Sequence, residues 1–283
     1  ASTAFDASVI LKSENIDLVI SEVDLPGDNS FELYFYIKKN YPVIPVIMVT
    51  SEPLDNFFDK IFSEGIGNVL QKPVSGNEIL SLSDKLTSKT NIFGIKNYLP
   101  EIKSVKRLKI TKSSQIKATV SKIIEIIEEW GFNISEKEIL NLILNEIIIN
   151  AVYHGHGFSE EKLKRIPVDL PENSIVQADV FYNNDSYAIS ITDYNGILTK
   201  DTILKSMYNV ILERKTIENA VISGKDITSH MSESGRGIDL VRQLAAEYYF
   251  ILDRNRRTEI ILIFNTGGNN AVSGMNSLKI IEN

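Results

Sequence analysis

Apolar residues in the first ninety positions fall into short runs separated by longer stretches of helical spacing. Ile16, Leu18, Val19 and Ile20 form one run, which ends in Ser21, Glu22, Val23 and Asp24 before Leu25-Pro26-Gly27. A second run covers Val43 to Val49 and ends in Thr50, and a third, Asn68 to Gln71, ends in Lys72-Pro73. Each reads as a buried strand stopped by a turn. Between them, Phe31, Leu33, Tyr34 and Ile37 repeat as one helix face, with lysines at the C-terminal end, where they suit the helix dipole. Further helices are expected over 54–64, stopped by Gly65, and over 76–86. Strands alternating with helices, with strands apolar on both faces, predict a parallel sheet covered on both sides. In such sheets function sits at the carboxyl ends of the strands, where Glu22, Thr50 and Lys72 fall.

Residues 89–103 mix Gly, Pro and polar positions with Phe93, Ile95, Tyr98 and Leu99, too apolar for a free linker, so a packed junction is expected. Beyond it the pattern changes. Ser104 to Ile110 alternates like an edge strand. Ile116, Val120, Ile123, Ile124 and Ile127 mark a helix from 114 to 130, stopped by Gly131. Ser135 and Glu138 have the spacing of a capping box opening a helix over 136–153. Strands are expected over 175–182 and 186–192, joined by Asn183-Asn184-Asp185, and over 248–252 and 258–264. A helix is expected from 199 to 212 and another from 238 to 246, the latter opened by the glycine turn Ser232-Glu-Ser-Gly-Arg-Gly237. Such a turn presents free backbone N–H groups and a positive dipole end, which suit phosphate. This half reads as an α+β sandwich with helices on one face of a mixed sheet.

The helix over 136–153 carries the most chemistry. It is apolar almost all round, yet holds Glu146 and Asn150 four apart on one face. Burying a carboxylate costs several kcal/mol or more unless it is paired. The two residues therefore mark a site that takes a cation, a phosphate or a reacting hydroxyl. His154 and His156, two apart, cannot share a helix face as a metal pair, and Arg254, Arg256 and Arg257 read as a wet turn.

Composition narrows the classes. The chain has 283 residues, room for about two domains, and 43% hydrophobic with 24% charged residues is globular. A net charge of −7 argues against a general nucleic-acid or acidic-membrane binder. Zero cysteines exclude disulfides, thiol catalysis and Cys-based metal sites. No apolar stretch reaches the length of a membrane span, and the first residues lack a signal-peptide pattern, so a cytoplasmic protein is expected.

The first half resembles the receiver domain of two-component response regulators. The matching blocks are Asp17-Leu-Val-Ile-Ser-Glu-Val-Asp-Leu-Pro26, Pro45-Val-Ile-Met-Val-Thr50 and Gln71-Lys-Pro73. The resemblance implies a flavodoxin-like α/β domain over residues 1–88, without the family's first strand and helix and without its magnesium-holding acidic pair. Glu22 stands where the family carries its phosphate-accepting aspartate. It either imitates a phosphorylated aspartate or marks an inactive receiver. A plainer reading makes it a strand-end carboxylate salt-bridged to Lys72.

Residues 104–266 resemble the GHKL ATPase domain shared by gyrase, sensor histidine kinases and bacterial anti-sigma serine kinases, and most resemble the last. Glu146-Ile-Ile-Ile-Asn150-Ala-Val-Tyr-His-Gly155 is similar to the N-box, Asp193 with Gly196 to the first glycine box, and Gly235-Arg236-Gly237-Ile-Asp-Leu-Val to the second. By resemblance Asn150 binds Mg²⁺, Glu146 is the general base, Asp193 holds the adenine amino group, and residues 212–234 form an ATP lid with Lys225 on phosphate. The first glycine box departs from the family's D-x-G-x-G, with Asn195 and Ile197 at the glycine positions. Residues 267–283 read as a C-terminal tail.

The combined expectation is a signalling protein in which a receiver-like domain regulates an anti-sigma-type Ser/Thr kinase using ATP and Mg²⁺. Its partner would be a signalling protein such as an anti-sigma antagonist or a sigma factor, with no nucleic acid and no membrane. A homodimer is implied by resemblance to both families. The alternative is a non-catalytic adaptor with both sites degenerate. A sensor histidine kinase fits poorly, because the helix over 114–130 carries no histidine.

Overall fold

The computed structural model describes residues 1–23, 30–88, 92–222, 240–242, 244–265 and 277–283. It opens with a helix, α1 (Ala4–Ser13), capped by the Thr3 hydroxyl, which accepts from the Asp6 amide at 3.0 Å. Then follow β1 (Val19–Glu22), α2 (Ser30–Asn40), β2 (Val46–Thr50), α3 (Phe58–Glu64), β3 (Asn68–Gln71) and α4 (Gly76–Thr87). β1, β2 and β3 are parallel, with Glu22 beside Val49 and Thr50 beside Gln71. Every residue of β2 is buried, as a strand covered on both faces requires. Gly65 closes α3 with a left-handed φ of 65°, and the Ser75 hydroxyl caps α4.

The second half contributes β4 (Ser104–Ile110), α5 (Ile116–Glu129), α6 (Lys137–Tyr153), the short α7 (Ser159–Leu163), β5 (Val176–Tyr182), β6 (Ser186–Asp193), α8 (Lys200–Ile222), β7 (Glu247–Asp253), β8 (Arg257–Asn265) and β9 (Leu278–Glu282). The expected capping box is absent. α6 starts one residue later than Ser135 would dictate, with Glu136 at its cap position and no side-chain cap. The Asn183 side chain does turn the β5–β6 hairpin, accepting from the amides of Asp185 and Ser186 at 3.0 and 2.9 Å. α8 runs ten residues past its expected end at Leu212, so the first part of the segment read as a lid is helical.

The nine strands among the described residues form one mixed sheet in the order β1-β2-β3-β9-β7-β8-β6-β5-β4. The joint is β9, antiparallel to β3 and parallel to β7. Residues 278–282, which the sequence placed in a C-terminal tail, thus form an interior strand that stitches the two halves together. One face of the sheet is covered by α1, α2 and α3 together with α5, α6 and α8 in a single core, in which Ile37, Ile61, Ile123, Ile147, Leu204 and Phe250 are buried. The other face is covered by α4 and the junction. There Leu82, Ile92, Phe93, Ile95 and Leu99 pack on Ile47 and Leu70 from the first half and on Tyr249, Ile261 and Ile281 from the second.

Charges at the joint are deeply paired. Buried Lys279 on β9 meets Glu78 of α4 at 2.7 Å and Glu247 of β7 at 3.5 Å. Glu259, buried on β8, accepts from Ser190 at 2.6 Å, from the Gly94 amide at 2.8 Å and from Arg257 at 3.1 Å. Arg257 is therefore part of the fastening between junction and sheet and not of a wet turn. No described helix is long and apolar enough to cross a membrane.

Candidate nucleotide site and receiver end

Between α6, α7, α8 and the end of β6 lies a cavity of about 430 Å³. Its walls include Glu146, Asn150, Asp193, Lys162, Lys205 and Thr258. Glu146 and Asn150, one helical turn apart, touch, the Asn150 amide donating to Glu146 Oε1 at 3.4 Å. The rest of α6 buries Leu140, Ile143, Leu144, Ile147, Ile148 and Val152 against the sheet, which fixes the polar pair toward the cavity.

Asp193, more than 40 residues away in sequence, lines the same cavity. Its Oδ1 accepts from the amides of Asn195 and Gly196 at 3.1 and 3.0 Å. Burial pushes its carboxyl above the usual carboxylate range. The two amides oppose that shift, with smaller contributions from Thr258 and His156. Gly196 is obligatory here. Its φ is 60°, and a Cβ would lie 2.2 Å from the Asp253 carbonyl oxygen. Asn195, at one of the two positions that depart from the D-x-G-x-G spacing, fastens this loop to the turn after α6 by donating to the Gly155 carbonyl at 2.7 Å. Ile197, at the other, lines the cavity.

Two lysines that line the cavity were among the side chains missed in the sequence. Lys162 on α7 donates to Asn150 Oδ1 at 2.7 Å and lies 3.5 Å from Glu146. Nothing in its spacing singles it out. Lys205 belongs to a polar stripe of α8 with Thr202, Ser206 and Asn209, while Ile203, Leu204, Met207 and Ile211 are buried. That periodicity was a usable signal. His154, hydrogen-bonded to Ser159 at 2.7 Å, is held below the ordinary histidine range by burial and by Lys162. Lys225, Gly235, Arg236 and Gly237 lie outside the described residues, as does His230.

The residues present do not fit a magnesium ion as they stand. Magnesium needs an oxygen at about 2.0–2.1 Å in an octahedral shell. The Asn150 oxygen already accepts from an ammonium group at 2.7 Å. A divalent ion on that oxygen would face the Lys162 charge at about 4 Å, a repulsion near 8 kcal/mol at an effective dielectric of about 20, only partly offset by Glu146. Among the described residues, no cluster of three or more His, Cys, Asp or Glu is set to hold a metal.

At the far end of the sheet, Glu22 and Lys72 meet at 2.5 Å across the ends of β1 and β3. Thr50 is buried between them in sheet order, and its hydroxyl caps the following turn by accepting from the Glu52 amide at 2.9 Å. The salt-bridged reading of Glu22 matches this geometry.

Residues 1–83 match the response regulator receiver domain. Among relatives, the probable transcriptional regulator ycf29 of Pyropia yezoensis is 32% identical over 91 residues, 31% of this chain and 41% of the relative. The two-component response regulator-like APRR9 of Arabidopsis thaliana is 36% identical over 73 residues, 25% of this chain and 16% of the relative. The two-component response regulator-like PRR1 of Oryza sativa subsp. japonica is 31% identical over 82 residues. The N-terminal part of the chain is a response-regulator receiver domain. The chain spans less than half the length of each of these relatives. The receiver domain reaches the second half directly. Asp55, in its β2–α3 loop, accepts from Arg214 of α8 at 2.9 Å and from Arg242 at 3.0 Å, and Phe62 stacks on Tyr208 with centroids 5.0 Å apart.

Proposed function

We propose that this is a two-component-type signalling protein in which a receiver domain is built onto an ATP-binding domain of the GHKL kind. The observation that carries the reading is the convergence of Glu146, Asn150 and Asp193 on one cavity. The buried Asp193 carboxyl suits the amino group of adenine, and the stripe of α8 suits ribose and phosphates. The chemistry that follows is transfer of a terminal phosphoryl group to a Ser or Thr hydroxyl on a partner protein, of the kind an anti-sigma antagonist presents. Glu146 would take the hydroxyl proton. The contacts of Asp55 and Phe62 with α8 give the receiver a route to the cavity wall, because the same helix supplies Lys205 and Asn209.

Calorimetric titration with ATP tests binding, and Asp193→Asn should abolish it. Labelling of candidate partners from ATP carrying a radioactive terminal phosphate tests transfer, and equal labelling by Glu146→Ala would remove Glu146 from the chemistry. A second reading, a non-catalytic adaptor, is favoured by Asn195 and Ile197 in the glycine box and by the Glu22–Lys72 pair at the receiver end. Absence of binding heat at millimolar nucleotide would select it.

A further inference from the structure

Lys162 is held in place from several sides. His154, at the end of α6, bonds to Ser159 at the start of α7 at 2.7 Å, and the Lys162 amide donates to Phe158 O at 3.0 Å. Beyond α7, the Tyr153 hydroxyl donates to Ile166 O at 3.1 Å. The ammonium so positioned has three N–H donors. One goes to Asn150 Oδ1 at 2.7 Å, Glu146 Oε1 lies 3.5 Å away, and the side chain lines the cavity. Deepening the nucleotide reading and resting on it, we infer that Lys162 is the resident counter-cation of the site, taking the place of a divalent metal. It turns its remaining N–H toward the nucleotide's phosphate oxygens.

The amide oxygen that would ligate a metal is engaged by this ammonium, and the nearest carboxylate is neutralised by it. A polyphosphate entering the cavity meets a positive charge already oriented. Charge-assisted bonds from ammonium to phosphate are among the strong ones. The substrate class is therefore a nucleoside di- or triphosphate free of metal, and the bound form does not depend on magnesium.

The experiment is ATP titration of wild type and Lys162→Met, each in excess EDTA and in millimolar magnesium, with circular dichroism as a check of folding. Wild type should bind in EDTA with affinity within about twofold of that in magnesium. Lys162→Met should lose roughly tenfold in EDTA and recover in magnesium, as one charged hydrogen bond predicts. Lys162→Arg, which keeps the charge, should retain binding in EDTA and serves as the second variant should Lys162→Met fail to fold. Wild-type binding that requires magnesium and ignores the methionine substitution overturns the inference while leaving the nucleotide reading intact. No binding by any form under either condition sinks the nucleotide reading itself.

Discussion

Two Glu–Lys pairs, one in each half of the molecule, have the same chemistry and opposite surroundings. At the receiver end, the side chains of Glu22 and Lys72 are 40% and 43% exposed; in the cavity, those of Glu146 and Lys162 are 19% and 21% exposed. The first pair bridges the ends of two strands in water, where an ion pair contributes about 0–1 kcal/mol. The second is walled by α6 and α7 and shares its cation with an amide oxygen. The same residue types sit in opposite surroundings, because solvent screens one pair and the fold confines the other. A third pair extends the series: Lys279 is 2% and Glu78 13% exposed, at the joint between the halves.

The largest effect should come from breaking the turn whose Gly196 amide holds Asp193. Gly196→Ala forces a Cβ to within 2.2 Å of the Asp253 carbonyl oxygen at a left-handed φ. It should cost about 3 kcal/mol or more, measured by urea unfolding, and should disturb Asp193 with it. A cost under about 1 kcal/mol would mean that the loop relaxes freely, and the contrast with the receiver end would weaken.

Next comes the most buried pair. Glu78→Gln removes the closer of the two carboxylates on buried Lys279, leaving Glu247 at 3.5 Å, and should lower stability by about 3 kcal/mol. Because β9 joins the halves, their unfolding should separate into two transitions if the pair is what couples them, which differential scanning calorimetry reads directly.

How much of this was legible in the sequence differs by element. The Glu146–Asn150 pair could be read because four residues is one turn and the rest of the helix is apolar. The strands could be read where they were apolar or alternating. Strand β9 could not, because a buried lysine at position 279 looks like a surface residue until Glu78 and Glu247 are brought to it by the fold. α1 buries only Leu11 and carries no clear stripe; its one sequence signal was Thr3 three residues before Asp6. Lys162 was invisible for a similar reason: the short helix that carries it is placed by a histidine–serine hydrogen bond and not by its own periodicity.

Titration sharpens the cavity side further. The Asp193 carboxyl is raised by burial, so the folded protein holds that proton more tightly than the unfolded chain. Its contribution favours folding below the unfolded value and is lost as pH rises through the higher folded one. Asp193→Asn should therefore gain stability relative to wild type as pH climbs from about 3.5 to neutrality, a difference read from paired urea curves. His154 runs the other way. Burial and Lys162 lower it, so Lys162→Met should move its NMR titration midpoint upward. A midpoint that stays put would detach Lys162 from the cavity's electrostatics.

The smallest effect belongs to the exposed pair. Glu22→Gln keeps the shape of the side chain and removes one charge that water already screens. Stability should change by no more than about 1 kcal/mol, and by less in high salt. Lys72 would then be left at the strand ends without its carboxylate, a solvated ammonium that costs the fold little. A loss well above that bound would show that the pair is confined in the protein as it works, as the cavity pair is. The contrast between the two ends of the sheet would then rest on something other than exposure to water.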